Sequence, residues 1–118
     1  MIVWASVENM KEDTTKEEVA WVAGILEGEG CFDYQQPLRK RCPQVRVEMV
    51  DKDIVMRVQG ITGGTICLFK GKQPNHNDSW CLGIRRKELV IPLLNKILPY
   101  MSMRRTAKIK ELLSYFER

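Results

Sequence analysis

Val22-Ala23-Gly24-Ile25-Leu26-Glu27-Gly28-Glu29-Gly30 decides the fold of this chain. Just upstream, Thr15-Lys16-Glu17-Glu18 forms a capping box, in which the Thr15 hydroxyl and the Glu18 carboxylate each satisfy a free backbone donor and start a helix. Val19, Val22, Ala23 and Leu26 recur at helical spacing and carry that helix to about Gly28. Ala20, Gly24 and Gly28 follow one another four residues apart, so they line a single stripe with almost no side chain. A glycine inside a helix costs about 1 kcal/mol relative to alanine, so two in one stripe ask for a reason, which a closely packed second helix supplies. Glu27 and Glu29 then sit at the end where the helix dipole is negative, and a carboxylate there is stabilised by a cation beside it. Two such helices side by side bring two Glu29 carboxylates together, and paired acids repel unless metal bridges them. Oxygen ligands of this kind suit magnesium, which also holds phosphate oxygens and activates water.

After Gly30 the period changes. Cys31 to Gln36 and Pro43 to Val50 read as strands, joined by a basic turn containing Pro37 and Arg39-Lys40-Arg41. In the second, Val45, Val47 and Met49 alternate with Gln44, Arg46 and Glu48, giving one apolar and one polar face. Asp51 caps a helix over Lys52 to Gly60, with Ile54, Val55 and Val58 inward, and Gly63-Gly64 ends the unit. Thr65 to Lys70 and Ser79 to Arg85 form a second strand pair around the turn-rich Gly71 to Asp78. Lys87 to Leu98 is helical, with Pro92 expected to shift its start or kink it. A last helix, about Arg105 to Phe116, turns Ile109, Leu112, Leu113 and Phe116 to one side. Met1 to Asp13 shows no clear period and reads as a loosely attached lead-in to a single domain over residues 1–118. The expected class is α+β with an antiparallel sheet.

At 118 residues the chain suits one core, and 44% apolar with 29% charged residues excludes disorder. A formal net charge of +4 tilts the partner toward a polyanion such as nucleic acid. The four cysteines form no C-x-x-C pair, and the single histidine, His76, lies in a loop, so the spacing is poor for zinc. Reduced, largely buried thiols in an intracellular protein are expected. The longest apolar run, Ala20 to Leu26, is too short to cross a bilayer, so no membrane partner is expected. Trp21 reads as a core or staple residue.

Val22 to Gly30 resembles the signature of the LAGLIDADG homing endonucleases, with Val22 for leucine and Glu27 and Glu29 where aspartate is common. The element order resembles that family's αββαββα core, and the likeness covers Thr15 to Phe116. It implies that Glu29 is the catalytic metal ligand, assisted by the backbone carbonyl of Gly28. Ala20, Gly24, Gly28 and Glu27 would line a homodimer interface, Glu27 having a capping carboxylate as its alternative. Asp51 would position metal-bound water while capping its helix. In Leu98-Pro99-Tyr100-Met101-Ser102-Met103-Arg104-Arg105, Arg104 is the best match to a basic residue beside the scissile phosphate, and Arg105 the next. Arginine in place of the usual lysine preserves charge stabilisation and puts proton transfer in doubt.

The same resemblance makes the hairpin faces DNA readers, since two-stranded ribbons fit the major groove. The expected contacts are Asp33, Gln35, Gln44, Arg46 and Glu48, then Lys70, Lys72, Gln73, Asn75, Ser79 and Arg85, with Arg39, Lys40 and Arg41 on phosphates. Cys31, Cys67 and Cys81 point to the groove or into the core. The implied cofactor is Mg2+ or Mn2+, with Ca2+ binding without supporting cleavage. The implied activity is hydrolysis of both strands of a long near-palindromic double-stranded DNA site by a homodimer. Such enzymes mobilise introns or inteins in a bacterial or phage-infected cytoplasm or an organelle, with no small-molecule substrate. The competing readings are a LAGLIDADG-fold nucleic-acid-binding protein without cleavage, such as an RNA maturase or transcription regulator, and a purely structural α+β interaction domain.

Overall fold

A computed structural model describes residues 2–35, 42–73 and 77–117. Its elements are β1 (Ile2–Val7), α1 (Lys16–Glu29), β2 (Gly30–Gln35), β3 (Cys42–Met49), α2 (Lys52–Thr62), β4 (Gly64–Phe69), β5 (Ser79–Ile84), α3 (Lys87–Ile97), a 3-10 turn (Leu98–Tyr100) and α4 (Met103–Tyr115). The capping box forms as expected. The Thr15 hydroxyl accepts from the Glu18 N–H at 3.1 Å, and the Glu18 carboxylate accepts from the Thr15 N–H at 3.0 Å. One sheet runs in the order β1-β4-β5-β3-β2, with every neighbouring pair antiparallel.

Strand alternation sorts the side chains. Phe32, Val45, Val47, Ile66, Leu82 and Ile84 point to one face and are buried. All four helices close over that face with Val22 and Leu26, Val55 and Val58, Leu93 and Leu94, and Ile109 and Leu112. Each such side chain stabilises the fold by about 1.5–3 kcal/mol on burial. Among the described residues, no helix packs on the opposite face.

Three expectations change. Residues Ile2 to Val7 are a paired edge strand, not a loose lead-in. Ile2 lies opposite Leu68 and Val7 opposite Gly64, with a register shift between Val3 and Ala5. Gln59 reinforces the edge by donating to the Ala5 and Gly64 carbonyls at 3.1 and 3.0 Å. Helix α3 begins at Lys87 and runs through Pro92, so the proline leaves its start unmoved. Helix α4 begins at Met103, two residues before the expected start, because Ser102 caps it.

Candidate nucleic-acid face and acidic junction

The ladder places Cys31, Asp33 and Gln35 of β2 on the helix-free face. Gln44, Arg46 and Glu48 of β3 lie beside them, followed by Cys81 and Ser79 of β5 and by Thr65 and Cys67 of β4. Asp33 accepts from Gln44 Nε2 at 2.9 Å and from the Arg46 guanidinium at 2.6 Å. Burial pushes the Asp33 carboxyl up, but hydrogen bonds from Arg46, Gln44 and Cys31 outweigh it and hold it below the usual aspartate value. Arg85 Nε donates to Gln44 Oε1 at 3.0 Å, and Ser79 Oγ lies 2.7 Å from a Glu48 carboxylate oxygen.

Gln44 therefore differs from its expected role. It is 6% exposed and both ends of its amide are engaged within the chain, so it orients Asp33 and Arg85 rather than standing free for a base. Arg46, Glu48 and Arg85 remain accessible on this face, and Gln35 is half-buried. Cys67 and Cys81 are buried on the helix-free side, and Cys31 is exposed there with Arg46 donating to its sulfur at 3.4 Å. Lys70, Lys72 and Gln73 are exposed beyond β4, with Lys70 3.9 Å from Asp78. Arg39, Lys40, Arg41, Asn75 and His76 lie outside the described residues.

At one end of this sheet α1 passes directly into β2. The last turn of α1 carries no basic residue, so its dipole and two acids need a cation from elsewhere. Arg105 supplies it. Its guanidinium donates to the Gly30 carbonyl at 2.7 Å and the Glu27 carbonyl at 3.1 Å, and sits 3.6 Å from the Glu27 carboxylate. Glu27 in turn accepts from the Ser102 N–H at 2.7 Å and lies 3.1 Å from its hydroxyl, at the N-terminus of α4. The Ser102 N–H, with smaller help from its hydroxyl and Arg105, holds the Glu27 carboxyl below the usual glutamate value against the opposing effect of burial. Glu27 is thus turned into its own chain as a cap, the alternative that its sequence position left open.

Glu29 is exposed beside this knot. Ala20, Gly24 and Gly28 are exposed as well, and a Cβ added at Gly24 or Gly28 would meet nothing within 4 Å. The stripe is open within one chain. Arg104 is exposed, and together with Arg105 and Lys108 it rims a cleft of about 300 Å³ whose floor is Gly30, Cys31 and Phe32. Lys108 was not anticipated, although its spacing from Arg104 places both on one side of α4. Asp51 stands at the N-cap of α2, but its side chain makes no capping hydrogen bond. The cap is its carbonyl, which accepts from Ile54 and Val55 at 3.1 and 3.2 Å. Because Gly30 pairs with Val47, the β3 end that leads to Asp51 lies at the same end of the sheet as Glu29. Trp21 packs against the core with the Arg57 guanidinium 4.1 Å from its ring centre. Among the described residues, no three His, Cys, Asp or Glu side chains gather into a metal cage.

No family model and no curated protein matches the sequence. Solved structures do. The homing endonuclease I-CvuI, crystallised with its target in the presence of calcium, superposes with a TM-score of 0.66 at 22% identity, covering 84% of this chain and 65% of that one. A second I-CvuI complex, with magnesium and uncleaved DNA, matches equally. The group I intron-encoded I-CeuI bound to DNA gives 0.66 at 19% identity over 91% of this chain and 57% of its own. The LAGLIDADG homing endonuclease I-LtrWI, bound to target DNA, gives 0.60 at 16% identity and is covered over 38% of its length. This chain therefore spans less than two thirds of each. Four helices on one side of a five-stranded antiparallel sheet, entered through the Val22 to Gly30 segment, are the fold of the LAGLIDADG homing endonucleases.

Proposed function

We propose that this chain is a divalent-metal-dependent DNA endonuclease that cuts both strands of a near-palindromic site as a homodimer. One juxtaposition carries the reading. The exposed Glu29 stands at the end of an open small-residue stripe, next to the cleft rimmed by Arg104 and Lys108 and at the end of a polar sheet face. The oxygen donors fit a hard cation only in part, since one chain offers the Glu29 carboxylate and the neighbouring Gly28 carbonyl. A second copy packed along Ala20, Gly24 and Gly28 doubles that set, and for this reason the dimer is part of the proposal.

When bound, Mg2+ or Mn2+ neutralises phosphate charge and makes water a better nucleophile, whereas Ca2+ fills the site without supporting cleavage. The chain's own residues do the rest. Arg105 holds the α1–β2 junction and so fixes where Glu29 stands. Arg104 meets the scissile phosphate as a positive charge, and Lys108 extends that charge along the cleft. Asp51, whose carboxylate is left out of its cap, orients water at the same end of the sheet. Arg46, Glu48, Ser79 and Arg85 face the major groove, while Lys70 and Lys72 meet phosphates beyond it.

A duplex carrying the uninterrupted DNA sequence that flanks the gene tests the reading in a magnesium-dependent cleavage assay. Wild type should cut both strands and elute as a dimer, and Glu29→Gln should bind within a few-fold yet cut at least ~100-fold more slowly. Cutting that Glu29→Gln leaves unaffected overturns the assignment. Tight binding by wild type without cutting in magnesium points instead to recognition without cleavage, as in an RNA maturase or a transcription regulator.

A further inference from the structure

Cys67 and Cys81 lie directly opposite one another in the β4–β5 ladder, on the helix-free face of the sheet. Residues opposite in an antiparallel pair have Cα atoms about 4.5 or 5.5 Å apart, depending on the type of pair. Both separations fall within the roughly 4.4–6.8 Å that a disulfide spans, so the two thiols can be joined without moving the strands far. Both are free in the structure, and each is nearly but not fully covered, at 7% and 9% exposure. The other two cysteines have no such partner, because Cys31 faces Arg46 and Cys42 faces Gln35 across the β2–β3 ladder.

We propose that Cys67 and Cys81 form a reversible dithiol–disulfide site, closed by exchange with a small disulfide such as oxidised glutathione. One cysteine thiolate attacks a glutathione sulfur, giving a mixed disulfide and releasing one glutathione thiolate. The opposing cysteine then attacks the protein sulfur of that mixed disulfide and releases the second glutathione. Two protein thiols become one disulfide, one glutathione disulfide becomes two thiols, and the two protons pass to the released thiolates or to water. Burial, with a smaller push from Glu48, raises the Cys81 thiol above its usual value against the pull of Arg46 and Arg85. Closure is therefore slow at neutral pH compared with an exposed thiol. The site is independent of the endonuclease reading, since it rests on register and burial alone.

The test uses the full chain carrying Cys31→Ser and Cys42→Ser, treated with oxidised glutathione and read by intact mass. The expected product has lost two hydrogens, retains no glutathione, maps to a Cys67–Cys81 peptide and returns to the dithiol with dithiothreitol. Adding Cys67→Ser or Cys81→Ser abolishes closure and leaves, at most, a glutathione adduct on the remaining thiol. A stable glutathione adduct on the intact pair overturns the proposal. So does closure that occurs in urea but never in the folded chain.

Discussion

The chain contains two helix-then-hairpin units, and the two helices end in opposite ways. Helix α2 stops on Gly63 and Gly64, at φ of 75° and 116°, left-handed conformations that glycine adopts without strain. Helix α1 has no such turn. It enters β2 through Gly30 in extended conformation, at φ of −78° and ψ of 157°, with two acids in its last turn. What steadies it comes from α4, 75 residues further on, through the Arg105 bond to Gly30. The first end is held from outside and presents Glu29 to solvent, and the second is a local stop. The difference lies in what holds each end, a side chain from a distant helix for α1 and a local glycine turn for α2.

The largest expected effect is at Gly30. A Cβ there would lie 2.6 Å from the Leu26 carbonyl oxygen, a backbone atom that cannot step aside. Gly30→Ala should cost about 3 kcal/mol in denaturant unfolding. Gly63→Ala, at positive φ and 3.0 Å from the Asn9 carbonyl, should cost about 1–2 kcal/mol. Equal losses would break the contrast between the two ends. Next comes Arg105→Ala, which leaves the Gly30 and Glu27 carbonyls without their charged donor and should cost about 2 kcal/mol. Arg104→Ala should stay within about 0.5 kcal/mol of wild type in stability. Its defect should be in cleavage, by at least ~10-fold.

Two glycines sharpen the comparison further. Gly24 in α1 and Gly60 in α2 are both exposed and both have open space where a Cβ would go. Alanine at Gly60 should therefore add about 0.5–1 kcal/mol with no change in assembly. Leucine at Gly24 should leave the monomer folded and weaken self-association in analytical ultracentrifugation, while Gly60→Leu leaves it intact. The smallest effect is one of pH. The Glu27 carboxyl is lowered in the folded chain, so the stability it contributes is present above the ordinary glutamate value and is lost as pH falls through the folded one. Glu27→Gln should therefore be less stable than wild type at neutral pH, and the gap should narrow as pH falls below the ordinary glutamate value.

The order of helices and strands from Thr15 onward was legible because capping, periodicity and turn residues are local. The Thr15 box, the alternation from Gln44 to Met49 and the glycines at Gly63-Gly64 each announce an element on their own. Strand β1 was not legible. Ile-Val-Trp-Ala-Ser-Val does not alternate, its register shifts midway, and its partner β4 lies far along the chain. The stripe and Glu29 could be read from spacing. Roles that depend on tertiary neighbours could not: Arg105 reads as the second choice for a basic residue at the scissile phosphate until α4 packs against β2. Gln44 reads as a free strand amide until Arg85 arrives from β5. The Asp51 carboxylate reads as a cap until the backbone carbonyl is seen to serve instead.

The late partner of β1 also bears on the route by which the chain folds. Ser6 and Thr65 touch across the edge pair at a separation of 59 residues, whereas β2 and β3 are consecutive strands of one hairpin. Closing so long a loop costs more chain entropy before any contact repays it. The hairpins and α1 should collapse first, and β1 should add itself to a sheet that already exists. Mutations in β1 should then speed unfolding while leaving the refolding rate nearly unchanged. Until that strand arrives, the outer rim of β4 is an unsealed seam, and a nascent chain held at this stage is most exposed to pairing with the wrong neighbour.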